Sequence, residues 1–290
     1  MKNKLLVVLS IVLAIFVLSG CSKDEEVQTM TAYTSVYPVE YILENLYGEK
    51  VAIYSIYPDE TDYNNYKLTD TRLTDYSKGD LFVYIGTINN EKNYAVEMIN
   101  KNKKIKIIDA SLGMSYTNGP EESWLNPSNY LMMASNIKKG LEEYISERID
   151  IKQINNNYEE LKLSLSEIDA ELKQVASSSS NPTIIVSSDT FKYLEKYGFT
   201  VISLEENDNL TDKTISDARK LIESKQNSYI FLKDGEEEND IVKRVKDGLD
   251  VNISKLNTIS TLSADQRKNK EDYVSIMMEN INSIKLEVNN

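Results

Sequence analysis

The chain has 290 residues, with 33 basic against 46 acidic side chains, a formal charge of −13, no histidine and one cysteine, Cys21. That acidity argues against a nucleic-acid partner, whose phosphates need a basic footprint, and against charge-driven docking to anionic lipid. Without imidazole there is no histidine general base, no Ser-His or Cys-His nucleophile pair and no histidine-held metal, and a single thiol allows no zinc knuckle, iron–sulfur cluster or internal disulfide.

Lys2 and Lys4 precede an apolar run over residues 5–17, broken only by Ser10 and Ala14. The run is shorter than the ~20 apolar residues of a membrane span and has the form of a secretory signal. The segment Leu18-Ser19-Gly20-Cys21 resembles the bacterial lipoprotein signal. That resemblance implies a signal peptide over 1–20, acylation of Cys21, and anchoring at the extracytoplasmic face of the cell membrane. Several acyl chains make a stable anchor where one is marginal. Residues 21–29 read as a polar tether. Removal of Lys2 and Lys4 leaves 31 basic against 46 acidic residues, a net of about −15 that favours solubility and attracts small cations.

In chain order, strands are predicted at 30–36, 50–56, 81–85 and 104–108, with helices at 39–46, 68–76 and 91–100 between them. Asn126 as N-cap and Pro127 in the first turn start a helix expected over 127–148. A second long helix is expected over 155–176. Its apolar positions Tyr158, Leu161, Leu165, Ile168, Leu172 and Val175 recur at alternating three and four and form one stripe. Strands then follow at 183–187, 199–203, 228–232 and 250–253, with helices at 191–196, 211–224 and 236–246 and a final one at 270–286. Alternating strands and helices give a parallel α/β sheet flanked on both faces. Two separated sets of four strands give two lobes, each with a mostly parallel four-stranded sheet: an N-terminal lobe over 30–154, a rigid linking helix over 155–176, and a C-terminal lobe over 177–290.

Four segments, in order, carry a resemblance. They are Thr34-Ser35-Val36-Tyr37-Pro38; the run Ile56-Tyr57-Pro58-Asp59-Glu60-Thr61-Asp62-Tyr63-Asn64-Asn65-Tyr66, with Asp80-Leu81-Phe82-Val83-Tyr84-Ile85-Gly86 after it; Ser123-Trp124-Leu125-Asn126-Pro127; and Val186-Ser187-Ser188-Asp189-Thr190-Phe191. A stretch near the end, Asp272-Tyr273-Val274-Ser275-Ile276, also fits. Together they resemble the solute-binding lipoproteins of zinc and manganese ABC importers, over nearly all of the mature chain. The resemblance implies two α/β lobes joined by a rigid helix, a ligand in the cleft between them, and a permease with its ATPase as partners.

The family holds its metal with three histidines and a carboxylate. The resemblance puts those positions at Asn64, Glu122, Ser188 and, within 257–263, Ser260; of these only Glu122 is a strong ligand. Three readings stay open. The cleft could take manganese, calcium or magnesium through oxygen, from Glu122 with Glu121, Asp62, Asp59, Glu60 or Asp189 and the neutral donors Asn64, Ser188 and Ser260. It could take an organic solute between walls formed by Tyr33, Tyr37, Tyr63, Tyr66, Tyr116 and Trp124, although rings in a chain with 19 tyrosines also serve as core. Or the lobes could form a surface adhesin with no solute. No enzyme signature emerges: Gly113 and Gly119 stand alone rather than in a phosphate loop, and Glu236-Glu237-Glu238 reads as a solvated helix face.

Overall fold

The computed structural model describes residues 29–88 and 90–289; the expected signal peptide, Cys21 and the tether up to residue 28 lie outside the described residues. Four strands, β1 (Met30–Thr34), β2 (Val51–Ser55), β3 (Leu81–Tyr84) and β4 (Lys106–Asp109), form one parallel sheet in the order β2-β1-β3-β4. Four more, β5 (Thr183–Val186), β6 (Thr200–Ser203), β7 (Tyr229–Lys233) and β8 (Asn252–Leu256), repeat it as β6-β5-β7-β8. The inner strand β3 is buried at all four residues, as a parallel strand covered on both faces must be. In each sheet the strand order reverses beside its first strand, which opens a crevice at the carboxyl ends of β1 and β3 and of β5 and β7.

Helices α1 (Tyr37–Tyr47), α2 (Asp70–Tyr76) and α3 (Glu91–Lys101) connect the first four strands. A short turn of helix, α4 (Glu122–Leu125), leads into α5 (Pro127–Tyr144), where Asn126 caps by accepting from Ser128 N. The helix expected over 127–148 ends early. Ile145 takes an extended conformation and is buried, and the next helix, α6, starts at Arg148 and runs to Ser178. Turning Ile145 into the core reverses the chain, so that α5 and α6 pack side by side. The 31 residues of α6 make it about 46 Å long. Its predicted stripe is buried at Leu161, Leu165, Ile168, Leu172 and Val175. Near its start Asn157 donates to Leu46 O of α1 (3.1 Å), and further on Glu171 pairs with Lys285 (3.2 Å) of the final helix.

In the second lobe, the segment expected as a helix over 191–196 is a 3-10 helix, Asp189–Tyr197, capped by Ser188 and ended at Gly198, whose φ of +102° suits glycine. Then come α7 (Asp212–Glu223), α8 (Asp240–Lys246), α9 (Ala264–Asn269) and α10 (Tyr273–Val288). The acidic run 236–238 precedes α8 rather than lying on it. Asn239 is the N-cap, its Oδ1 accepting from Val242 N at 2.8 Å. An asparagine outranks a glutamate in that role. The strand expected at 250–253 is shifted to Asn252–Leu256. No helix among the described residues is long and apolar enough to cross a membrane.

The lobes meet through an aromatic joint. Trp124, Tyr130 and Tyr273 are fully buried, and the rings of Tyr130 and Tyr273 stack with centroids 4.0 Å apart. The Trp124 indole donates to Thr258 O (2.7 Å), Tyr273 OH donates to Trp124 O, and Tyr37 N donates to Ser260 O (3.1 Å). At the rim, Arg267 of α9 forms two bonds to Asp59 (2.6 and 2.8 Å) and two to Glu40 (3.0 and 3.3 Å) of the first lobe.

Within the first lobe, Glu91 opens α3 with no exposure. Its Oε2 accepts from Ile85 N (2.8 Å) and its Oε1 from Tyr57 OH (3.1 Å), tying the end of β3 to the loop after β2. Burial pushes this carboxyl up to about 8, against the pull of those donors. The folded chain therefore holds a proton that the unfolded chain has lost, and stability falls as pH rises from about 4.3 toward about 8. Glu91→Gln keeps the shape and cannot ionise. Urea midpoints measured between about pH 5 and 9 should fall for the wild type and fall less for the variant. Identical slopes would show that Glu91 is ionised in the folded protein.

Candidate functional site

The crevices of the two sheets face each other across a cavity of about 550 Å3, lined by residues 60–64 and Glu121 from the first lobe and by 233–236 and the 257–263 segment from the second. An adjoining space of about 780 Å3 shares Asn64, Glu121, Lys233 and Glu236 and reaches 187–190 and 205–209. Both lie within the roughly 300–1,000 Å3 of ordinary small-ligand sites.

Sequence places each side chain there for a local reason. Ser187 and Ser188 directly follow β5, and Lys233 ends β7, so they sit at the carboxyl edge of the second sheet. Asp62 and Asn64 lie in the turn after β2, where Asp62 Oδ1 accepts from Asn64 N at 3.0 Å. Glu121 precedes α4 with helical backbone angles. Residues on a helix are about 100° apart, so Glu121 lies roughly 60° from Trp124, whereas Glu122 lies about 160° away on the opposite face. Trp124 is locked into the joint, which aims Glu121 into the cleft and turns Glu122 out of it.

Glu122, the residue expected as metal ligand, is turned away from the cleft. Its Oε2 accepts from Thr117 N (3.2 Å) and Asn118 N (3.1 Å), closing the loop before α4, and Glu122 lines neither space. Asn64, Ser188 and Ser260 do line the cleft, as do Asp62, Glu121 and Asp189. Trp124 and Tyr66 do not: the indole is core, and Tyr66 packs edge-on to Tyr57 at 5.8 Å. Among the other rings, Tyr33 packs on Tyr76 (4.7 Å) and Tyr116 donates to Thr87 O (2.6 Å). Tyr63 is the one ring in the 550 Å3 cavity wall, so no aromatic cage forms among the described residues. Asp59 is taken by Arg267.

Carboxylates at the cleft are oriented by donors. Tyr63 OH donates to Glu121 Oε1 (2.7 Å). Burial and the adjacent carboxylate hold that phenol well above its ordinary pKa, so it remains a donor. Ser188 Oγ (2.8 Å) and Asp189 N (2.6 Å) donate to Glu205 Oε2. Ser187 Oγ donates to Glu236 Oε2 (2.9 Å), and Lys233 Nζ lies 3.2 Å from Glu236 Oε1. Asp189 pairs with Lys192 at 2.8 Å; against the effect of burial, bonds from Lys192 and Ser203 keep its carboxyl below the usual value. Glu205, Glu236 and Lys233 were not picked out by the sequence. The signal for Glu236 was the Asp234-Gly235 turn directly after a strand, which keeps the acidic run at the sheet edge instead of on a helix.

Zinc needs about four nitrogen, sulfur or oxygen ligands at 2.0–2.3 Å in a tetrahedron. The described residues bring no three Asp, Glu, Cys or His side chains together where they could hold a metal ion. The residues present do not fit zinc.

A family model described as zinc-uptake complex component A, periplasmic (ZnuA), matches residues 33–286. A metal ABC transporter substrate-binding lipoprotein of Lactococcus lactis subsp. lactis is 26% identical over 216 residues, covering 67% of this chain and 68% of that protein. Among solved structures, the metal-dependent lipoprotein YcdH from Bacillus subtilis superposes with a TM-score of 0.73 at 16% identity, over 89% of this chain and 99% of that one. The Zn(II)-bound ZnuA-like domain of AdcA from Streptococcus pneumoniae gives 0.72 at 18% identity, over 90% and 100%. Those two likenesses establish the fold.

Tyr63→Phe keeps the ring against Trp124, 6.2 Å away, and removes the one hydrogen-bond donor to Glu121 among the described residues. Leaving that buried carboxylate without its partner should cost about 1–3 kcal/mol in urea unfolding. A change within a few tenths would mean that Glu121 is solvated instead of held.

Proposed function

Because the chain belongs to the zinc-uptake complex component A family, we propose that it is the extracytoplasmic solute-binding lipoprotein of an ABC importer. It captures a small solute between its lobes and delivers it to a membrane permease driven by a cytoplasmic ATPase. The observation that carries this reading is the pairing of two sheet crevices across one polar cavity, the place where open α/β sheets take ligands. The cleft is equipped for binding and not for covalent chemistry, since it offers carboxylates, hydroxyls and amides already oriented by neighbours.

Lipid on Cys21 would hold the chain at the outer face of the cell membrane, with 22–29 as a short tether. The aromatic joint and the Arg267 pairs cross the lobe boundary at several points, so capture proceeds with little lobe closure. The usual zinc site of the family is not reproduced in this cleft, and the cargo is a solute that an acidic oxygen-lined cavity can hold.

Two measurements on the full chain test this. Cys21→Ser should move the protein from the membrane fraction to the soluble fraction without changing its melting temperature. Cross-linking in intact cells should recover the wild type with a polytopic permease and its ATPase. A Cys21→Ser protein that stays in the membrane fraction would refute the lipid anchor, and failure to recover a permease would refute the importer role.

A further inference from the structure

We propose that the solute is a small hydrophilic organic cation whose primary ammonium group is bound by Glu121; this rests on the solute-binding reading above. The argument starts from satisfaction. Glu121 is only 8% exposed and lines both parts of the cleft. Its Oε1 accepts from Tyr63 OH, while its Oε2 accepts no hydrogen bond and neither oxygen is paired with a cationic side chain among the described residues. That second oxygen opens on the cleft, where a donor carried by a solute can reach it. The other acidic groups differ: Glu205 has Ser188 and the Asp189 amide, and Glu236 has Ser187 and Lys233.

Space around that oxygen is kept open. Gly119 has φ +99°, and a Cβ there would stand 3.0 Å from Glu121 Oε2. A side chain at 119 would crowd the one carboxylate oxygen that is free to bind.

A metal ion is the poorer occupant. The acidic side chains of the lining do not converge: no cluster of three metal-ligating side chains is present among the described residues, so nothing there replaces a hydration shell of six to eight ligands. An ammonium needs less: it presents three donors. Glu121 Oε2 accepts one in a charge-assisted bond, and the hydroxyls of Thr258 and Ser260 line the same cavity as further acceptors. A space of about 550 Å3 leaves room for the carbon chain and a second polar group. Among the described residues Lys233 is the one cation in that lining and is already paired, so the remaining acidic wall repels anions.

The test is calorimetric titration and thermal shift of the full chain with 1,4-diaminobutane, ethanolamine and agmatine, against 1,4-butanediol, zinc, manganese and calcium. At least one ammonium probe should bind and the diol should not. Glu121→Gln, whose amide oxygen can still accept from Tyr63 OH, should fold without probe and bind that probe about tenfold or more weakly, since it loses the charge and keeps the shape. Glu121→Asp, which keeps the charge and withdraws it, should fall between. Equal binding by wild type and Glu121→Gln would overturn the assignment to Glu121. Binding of a divalent metal with no ammonium probe bound, or binding of none of these probes, would overturn the ammonium class; recovery of the permease by cross-linking decides the importer role separately.

Discussion

The contact on which the cleft depends is the hydrogen bond from the Trp124 indole to the carbonyl of Thr258, made inside a packed aromatic joint. Trp124 belongs to the first lobe and Thr258 to the segment after the last strand of the second, 134 residues away. Large aromatic side chains each bury roughly 150–250 Å2, and their polar tips require partners once buried. Here the indole N–H and the Tyr273 hydroxyl find those partners across the boundary. The 257–263 segment is thereby fixed to the first lobe, although it leaves the second sheet. One wall of the cavity is thus fixed to the opposite lobe.

From that joint a chain of contacts leads outward to the ligand-facing group. The Trp124 ring stands edge-on to Tyr63, and Tyr63 donates its hydroxyl hydrogen bond to Glu121. Each step is a side chain whose rotamer is set by packing on one side and by a polar partner on the other. Such preorganisation lowers the ordering cost that binding otherwise incurs. Of the rings that looked from the sequence like walls of the 550 Å3 cavity only Tyr63 is one; Trp124 and Tyr66 are spent on packing and Tyr116 on a backbone hydrogen bond.

The sheets and the long helix were legible because their signals are periodic and redundant. Eight short apolar runs gave eight strands, and the stripe from Leu161 to Val175 is buried as its spacing requires. What was not legible were boundaries decided by a single competing residue. Ile145 leaves the helix because the core takes its side chain. Asn239 starts α8 three residues after the acidic run begins because it caps better than a glutamate. Neither effect carries a period, so a sliding pattern cannot see it.

The cleft shows the same limit at its sharpest. Glu121 and Glu122 are adjacent and chemically identical, and the family resemblance places the ligand position at the second. Geometry reverses the choice, because one step along a helix is about 100° and the tryptophan fixes which face is inside. The carboxylates can then be sorted by what already satisfies them. Glu122 closes a loop, Glu205 and Glu236 are tied to the ends of β5 and β7, and Glu121 alone combines deep burial, one engaged oxygen and one open one. That open oxygen faces the cleft, where a charge-assisted bond from a solute can reach it. Among the described residues the protein supplies no cationic side chain at that position, so the cation proposed there is the solute's.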